Sequence, residues 1–286
     1  ACYIHVPFCL AKCRYCDFFS ITDLSMIEPY VDALLLEIEQ NKACRRRVRT
    51  VYVGGGTPSL LEVGHIEKVL YTVAQCFDLA SDAEVTVEVN PGTVKKSWFS
   101  DLSSIGVNRV NIGVQSFDDE KLEFLGRIHS ADTARKSVEA ALNAGMGNIG
   151  MDLIYCVPTE DPQSWQRDLE TALRFGLSHL SCYTLTFEKG TPLHRMMETG
   201  KSVPLDREKT AERFKATSRF LTQRGWFHYE ISNFARREEN RSRHNMTYWR
   251  NLPYTGFGPG AHSYDGIRRS WNRSDVSRYI HDLGAG

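Results

Sequence analysis

The chain has 286 residues, equal numbers of basic and acidic side chains, and 42% hydrophobic residues. This length is sufficient for one large α/β barrel, alone or with a small appendage. The balanced charge gives no indication of nucleic acid as a partner, and the sequence contains no run of about 18 apolar residues that would indicate a membrane span.

Short β-rich segments alternate with amphipathic helical segments along the first 224 residues. Strands are predicted at residues 3–5, 49–53, 84–89, 109–114, 147–154 and 179–185. The clearest helices are predicted at 131–144, 162–175 and 206–224. For the helix at 162–175, Asp161 is the expected N-cap and Gly176 the expected end. Strand–helix units in series predict an α/β fold with a parallel sheet and outer helices.

The pattern changes after residue 224. Residues 225–286 are rich in aromatic, glycine, arginine and asparagine residues and predict loops with short strands. We therefore divide the chain into a barrel at 1–224 and the start of a further C-terminal region at 225–286, which we expect to be truncated.

Three cysteines lie close together near the start of the chain. Cys9, Cys13 and Cys16 have the spacing C-x3-C-x2-C, and thiolate sets of this kind hold iron–sulfur clusters or zinc. An ordinary 4Fe–4S cluster takes four cysteines, so three without a nearby fourth predict a cluster with one iron open to a ligand. The alternative is a structural zinc site, which needs a fourth ligand such as His5 or Asp17.

The other cysteines are scattered along the sequence, and we expect each to be a small buried apolar residue. They are Cys2, Cys44, Cys76, Cys156 and Cys182. Because the chain is large and shows no signal peptide at its start, we expect a reducing location rather than a disulfide framework. That location is the cytoplasm, or an organelle matrix if a targeting segment has been removed.

Polar residues lie at or after the ends of several predicted strands. The run Gly54-Gly55-Gly56-Thr57-Pro58 follows the second strand, and Glu88, Gln115, Arg127 and Asp152 lie at or beyond the third, fourth and fifth. In a parallel barrel these ends line one mouth, which the cysteine loop also joins. Singly, a glycine turn or a lone acid is usually structural. Together they predict a small-ligand site, with glycines allowing close backbone approach.

Four segments carry a family resemblance: residues 3–9 (YIHVPFC), 54–59 (GGGTPS), 113–117 (GVQSF) and 125–129 (LGRIH). Together they resemble the radical S-adenosylmethionine (SAM) family, in the branch of oxygen-independent coproporphyrinogen III oxidase and its relatives. The resemblance extends from about residue 3 to residue 265. It implies a partial (β/α)6 TIM-like barrel in which Cys9, Cys13 and Cys16 hold a 4Fe–4S cluster.

The same resemblance implies a binding site for SAM at the open iron. Gly55, Gly56 and Thr57 would hold the methionine part, and the polar residues at the strand ends would position its carboxylate, sulfonium and ribose. The latter are Glu88, Gln115, Arg127 and Asp152, while Tyr3 and Tyr15 would pack near the cofactor. Reduction of the cluster by a donor such as flavodoxin or ferredoxin would cleave SAM to methionine and a 5′-deoxyadenosyl radical.

One departure distinguishes branches of the family. The oxidase proper has a fourth cysteine two residues after the third, where this chain has Phe18. With the motif at 244–249 (HNMTYW), the chain is more similar to the HemW-type haem chaperones. That similarity implies haem as cargo, handed to an acceptor haem protein such as a membrane respiratory enzyme.

The candidate haem contacts are His244, Tyr248 and Trp249, because an imidazole can ligate haem iron and aromatic rings can flank a flat macrocycle. The alternative is that His244 hydrogen-bonds within the core and the aromatic rings simply pack.

Two enzymatic functions also stay open. Phe18 argues against oxidative decarboxylation of coproporphyrinogen III, and the His244 motif argues against haem degradation. Cys156 departs from the glycine that the family has at this strand end.

Overall fold

The computed structural model describes residues 1–42, 46–94, 97–158 and 160–284; the predicted buried position of Cys44 lies outside these ranges. The strands are β1 (Cys2–Val6), β2 (Arg47–Gly55), β3 (Asp78–Val89), β4 (Arg109–Gln115), β5 (Ile149–Tyr155), β6 (His179–Thr184), β7 (Phe227–His228), β8 (Asn233–Ala235), β9 (Thr255–Phe257), β10 (His262–Tyr264) and β11 (Arg269–Trp271). The helices are α1 (Ile27–Gln40), α2 (Val63–Cys76), α3 (Trp98–Ser104), α4 (Asp119–Leu125), α5 (Ala131–Asn143), α6 (Pro162–Arg174), α7 (Pro192–Glu198), α8 (Arg207–Thr222), α9 (Arg243–Trp249) and α10 (Val276–Gly284).

One large sheet organises the described residues. Its strand order is β7-β8-β6-β5-β4-β3-β2-β1-β9, and β1 to β6 are parallel neighbours in chain order. Intervening helices connect these strands, as parallel crossovers require. The predicted α/β architecture is confirmed, and all six predicted strands are present, although β3 begins at Asp78 rather than at the expected residue 84. No helix within the described ranges has the length and hydropathy needed to cross a lipid bilayer.

The two sides of the parallel sheet differ in chemistry because successive side chains of a strand point in opposite directions. On one side, valines such as Val51, Val53, Val85 and Val87 are buried in the apolar core. The opposite side, here called the polar face, carries hydrogen-bonding side chains: Thr50, Tyr52, Glu84, Glu88, Asn111 and Asp152. The functional residues therefore lie on the side of the sheet that does not form the apolar core.

The sequence signals for helix ends match the structure. The Asp161 carboxylate accepts a hydrogen bond from the Ser164 N–H at 2.6 Å and caps α6. Gly176, after the end of α6, has the left-handed φ of 65° that favours glycine. The predicted helices at 131–144, 162–175 and 206–224 are thus confirmed as α5, α6 and α8.

Residues 225–286 contain more regular structure than the sequence predicted. The expectation of loops with short strands is wrong for α9 and α10, which are helical. The Ser242 side chain caps α9 by accepting a hydrogen bond from the Asn245 N–H at 3.2 Å. Moreover, β8 pairs with β6 and β9 pairs with β1. These strands extend the sheet built by residues 1–224, and the proposed division at residue 224 stays a prediction.

The scattered cysteines behave as expected where the structure describes them. Cys2, Cys76, Cys156 and Cys182 are all free and buried. Cys156 has a φ of 64°, in the left-handed region that residues other than glycine rarely adopt. A left-handed φ favours glycine, so this conformation suits the glycine that the resemblance implies at this strand end.

A buried ion cluster fixes the turn after β4. Lys121, which is 1% exposed, lies 2.6 Å from the Asp168 carboxylate and 3.1 Å from that of Glu160. Asp168 also accepts hydrogen bonds from the Ser116 hydroxyl and the Phe117 N–H, both at 2.7 Å. The Asp168 carboxylate, on α6, therefore holds both the turn that follows Gln115 and the Lys121 ammonium of α4.

We expect Asp168→Asn to destabilise the fold by about 3 kcal/mol, because it removes a charge partner from a buried lysine. Asp132→Asn is the matched control, since Asp132 pairs with Lys136 at 2.6 Å but both side chains are about 70% exposed. Urea unfolding of both variants measures the difference, and the control should stay close to wild type. Equal losses in the two variants would contradict the role assigned to the buried cluster.

Candidate cofactor site

The three cysteines lie on the loop that follows β1. Cys9, Cys13 and Cys16 are free and half-buried. The loop is held by backbone hydrogen bonds from the Cys9 N–H to the Ile21 carbonyl at 2.9 Å and from the Arg14 N–H to the Leu125 carbonyl at 3.0 Å. It is thereby attached both to its own return segment and to the end of α4.

The zinc alternative had two possible fourth ligands, His5 and Asp17. Asp17 lines the cavity described below, and the contacts of His5 give the alternative no support. Both ring nitrogens of His5 have partners, the Tyr3 hydroxyl at 3.0 Å and the Phe19 carbonyl at 2.8 Å. In the described ranges, no three histidine, cysteine or acidic side chains lie close enough together to share a single metal ion. The donor set at this loop remains three thiols, which suits a cluster with one open iron.

A cavity of about 590 Å³ opens beside the cysteine loop, at the carboxyl ends of the parallel strands. Its lining includes Cys16 and every predicted SAM residue except Tyr3: Tyr15, Gly55, Gly56, Thr57, Glu88, Gln115, Arg127 and Asp152. The prediction that strand ends would bring these dispersed residues together is confirmed by this geometry. Whether they bind SAM stays a prediction.

Tyr3 lies behind this cavity rather than in its lining. Its ring packs on Tyr52, with centroids 6.3 Å apart and an interplanar angle of 27°. Its hydroxyl is bonded to the His5 ring, and burial raises its pKa well above the usual value. In this structure Tyr3 supports neighbouring side chains from outside the lining, and its predicted place near the cofactor stays a prediction.

The glycine run is required first by the protein's own packing. A Cβ atom on Gly56 would come within 2.6 Å of the Phe8 carbonyl oxygen, and one on Gly55 within 2.7 Å of the His5 ring. Gly55 also has a φ of 113°. Glycine at these positions lets the end of β2 pack against the cysteine loop and leaves backbone polar groups facing the cavity.

Two buried acids give the cavity a negative character. Glu88 accepts hydrogen bonds from the Tyr52 hydroxyl at 2.7 Å and the Gly55 N–H at 3.2 Å. Burial, reinforced by Asp152, nevertheless raises the pKa of Glu88 to about 7. One oxygen of Asp152 accepts from Asn111 at 2.6 Å, and its other buried oxygen has no hydrogen-bond partner among the described residues. A cationic ligand would satisfy both carboxylates, so the site fits a sulfonium such as that of SAM.

Gln115 has an unusual backbone conformation, and Arg127 follows a glycine in the left-handed region. Gln115 ends β4 with a φ of 65°, where the pairing with β5 shifts register. Arg127 follows Gly126, whose φ of 74° ends α4. The Arg127 guanidinium donates to the Gly113 carbonyl at 2.9 Å and to the Cys13 thiol at 3.5 Å. Strained backbone of this kind is concentrated at functional sites.

The haem motif has a different position from the one expected for an iron ligand. His244 is 1% exposed, and its ring nitrogens contact the Thr50 hydroxyl at 2.9 Å and the Tyr248 hydroxyl at 2.8 Å. It stacks on Tyr52 with centroids 4.9 Å apart. This arrangement matches the alternative in which His244 hydrogen-bonds within the core. Trp249, by contrast, is half exposed.

Sequence reasoning missed several residues of this site. Asn90 contacts both Thr57 and Arg127, Asn111 bonds to Asp152, and Tyr52 bonds to Glu88. The positions of Asn90 and Asn111 in the sequence could have indicated them. Asn90 directly follows β3, and Asn111 lies on β4 two residues before Gly113 and four before Gln115, on the same face. Their partners, however, are distant in sequence.

Comparisons with known proteins agree with this geometry. A sequence model of the radical SAM superfamily matches residues 3–172. Heme chaperone HemW of Synechocystis is 38% identical over 94% of this chain and 67% of that protein. HemW of Mycobacterium tuberculosis is 37% identical over 98% of this chain and 73% of that protein. The chain belongs to the radical SAM superfamily and, within it, to the HemW family.

Further relatives extend the comparison. Radical S-adenosyl methionine domain-containing protein 1, mitochondrial, of Danio rerio is 41% identical over 91% of this chain and 59% of that protein. Coproporphyrinogen III oxidase (HemN) from Escherichia coli superposes with a TM-score of 0.84 at 22% identity, covering all of this chain and 69% of that one. This superposition confirms the radical SAM fold. The chain spans only part of the length of each of these relatives.

The raised pKa of Glu88 predicts a pH-dependent stability in the cluster-free protein. Between the unfolded value of 4.5 and the folded value of about 7, the folded state retains a proton that the unfolded state has lost. The free energy of unfolding should therefore fall as the pH rises through this window, by roughly 3 kcal/mol relative to Glu88→Gln. Urea unfolding of both proteins at pH 5 and pH 7.5 checks this. A difference between them that does not change with pH would contradict it.

Proposed function

We propose that this chain binds a 4Fe–4S cluster and SAM and acts as a haem chaperone that passes haem to an acceptor haem protein. The observation that carries the proposal is the placement of three free thiols beside a 590 Å³ cavity lined by glycine backbone, two buried acids and an arginine. Membership of the HemW family supports the chaperone function over the oxidase.

Cys9, Cys13 and Cys16 would hold the cluster, and the open iron would take the amino and carboxylate groups of SAM. When bound, this pair of cofactors supplies the reductive cleavage of SAM to methionine and a 5′-deoxyadenosyl radical. The backbone of Gly55 and Gly56 would bind the methionine part, and Arg127 is the cation available for its carboxylate. Glu88 and Asp152 would face the sulfonium, whose positive charge lowers the cost of their burial.

The haem part of the proposal rests on the relatives named Heme chaperone HemW. The chain covers 59% to 73% of the relatives compared above, so the activity of the whole protein is inferred from them. An acceptor such as a membrane respiratory enzyme, an electron donor such as flavodoxin or ferredoxin, and a location in the cytoplasm or an organelle matrix belong to the same inference.

Phe18 argues against the oxidase alternative. It stands at the position of the fourth cysteine of the oxidase, where it lines the cavity and is 62% exposed. The acids that line the cavity do not separate the two functions, because Glu88 and Asp152 are assigned to SAM in either case.

An anaerobic turnover assay tests this proposal. Reconstituted protein is incubated with SAM, a strong reductant and coproporphyrinogen III, and products are identified by mass spectrometry. We expect 5′-deoxyadenosine without protoporphyrinogen, because the proposed site would cleave SAM while Phe18 replaces the fourth cysteine of the oxidase. Cys13→Ser should lose the cluster and the 5′-deoxyadenosine, because two thiolates cannot hold it, while Cys76→Ala should keep both. Protoporphyrinogen formation would overturn the chaperone proposal in favour of the oxidase.

For haem we propose contacts through the exposed rings of Tyr248 and Trp249, with His244 supporting Tyr248 by its hydrogen bond. Trp249→Ala should weaken haem binding about tenfold, which is about 1.4 kcal/mol. Trp271→Ala is the matched control, since Trp271 is 68% exposed but lies outside α9. Haem titration followed by absorption measures both affinities. His244→Ala should leave the absorption maximum of bound haem unchanged, and a shift of that maximum would instead identify His244 as an iron ligand.

A further inference from the structure

Asn90 connects the two hydrogen-bond donors that reach the cysteine loop. Its amide nitrogen donates to the Thr57 hydroxyl oxygen at 2.8 Å, and its amide oxygen accepts from the Arg127 guanidinium. Thr57 in turn donates its hydroxyl proton to the Cys9 sulfur at 3.5 Å. Arg127 donates through its other terminal nitrogen to the Cys13 sulfur, also at 3.5 Å.

The backbone of Asn90 is fixed independently of these contacts. Its N–H donates to the Ser59 hydroxyl at 3.1 Å, and its carbonyl accepts from the Thr93 hydroxyl at 2.7 Å. The Ser59 and Thr93 hydroxyls are themselves 2.6 Å apart. The amide is thus presented from a rigid turn after β3.

An amide is the group that this position requires. Because the Asn90 amide donates a hydrogen bond to the Thr57 oxygen, the Thr57 hydroxyl is left to donate its own hydrogen bond to Cys9. An ionised carboxylate at position 90 has no N–H to donate and would instead accept the hydrogen bond of the Thr57 hydroxyl. The Arg127 contact needs an acceptor, which the amide oxygen supplies.

We propose that Asn90 is a positioning residue for the cluster, holding the Thr57 hydroxyl and the Arg127 guanidinium in hydrogen-bonding contact with the Cys9 and Cys13 sulfurs. The inference rests on the proposed function of Cys9, Cys13 and Cys16 as cluster ligands. Hydrogen bonds to the sulfurs of an iron–sulfur cluster tune its reduction potential, because they stabilise the more negative reduced state. Asn90 therefore raises the potential of the cluster through two other side chains.

The test is EPR-monitored potentiometry of reconstituted wild type, Asn90→Asp, Thr57→Val and the double variant. Asn90→Asp should shift the one-electron reduction equilibrium at least tenfold toward the oxidised cluster, a fall of about 59 mV. Thr57→Val should shift it in the same direction. In the double variant the further effect of Asn90→Asp should be clearly smaller than in wild type, because the hydrogen bond to Cys9 is already gone.

Thr86→Val is the matched control for Thr57→Val. Thr86 is a fully buried threonine of β3, and its hydroxyl has no hydrogen-bond partner among the described residues. Its removal should leave the potential unchanged. A potential that falls as far in Thr86→Val as in Thr57→Val would show a general effect of losing a buried hydroxyl and would overturn the inference.

Additive effects of Asn90→Asp and Thr57→Val would also overturn it, because the shift would then be the plain effect of an added negative charge. If Asn90→Asp takes up no cluster, Asn90→Ala replaces it in the same cycle, with the same non-additivity expected. Iron and sulfide counts precede every titration. A wild type without a full cluster would refute the proposed function itself, whereas a loaded wild type with additive variants would refute only the role of Asn90.

Discussion

The close contact between the end of β2 and the cysteine loop is the constraint on which the site depends. The Gly56 N–H donates to the Val6 carbonyl at 2.8 Å, and the space beside Gly56 is too small for a Cβ atom. Because β2 also pairs with β3, this contact brings the cysteine loop, Thr57 and Glu88 to one edge of the sheet. Without glycine here the loop would be displaced, and the thiols would move away from the residues that contact them.

The polar face has a thermodynamic cost that the rest of the fold offsets. Buried polar groups are tolerated when they are hydrogen-bonded, and most of those on this face are paired with one another or with α9. Glu84 accepts hydrogen bonds from the Arg243 and His244 N–H groups at 3.0 and 2.9 Å. The pairing becomes incomplete at the cavity, where Asp152 retains an unpaired oxygen among the described residues. One unpaired carboxylate oxygen therefore lies where a ligand is expected.

Much of this arrangement could be predicted from the sequence because it depends on local patterns. Strand alternation, helix caps such as Asp161 and the convergence of parallel strand ends are properties of short segments. They correctly placed the six parallel strands and brought Glu88, Gln115 and Asp152 to one cavity. The hydrogen-bond partners could not be predicted in this way, since Asn90 bonds to residues 33 and 37 positions away.

The same limit explains the two residues whose positions differ most from expectation. Tyr3 and His5 share one face of β1, as their spacing of two residues predicts, but the sequence does not reveal that the Tyr52 ring packs against Tyr3. His244 lies in a seven-residue helix with weak periodicity, and its contacts with Thr50 and Glu84 join residues about 160 or more positions apart. In both cases tertiary packing, which no local pattern encodes, decided the environment of the side chain.

Tyr52 connects the cavity to the haem motif through direct contacts. Its hydroxyl holds the Glu88 carboxylate, and its ring stacks on His244. A ligand that draws His244 away from Thr50 must also remove a ring from the face of Tyr52. Any such movement would change the packing of the side chain that stabilises the charged form of Glu88. The cavity and the motif at 244–249 therefore occupy separate positions but share one aromatic ring.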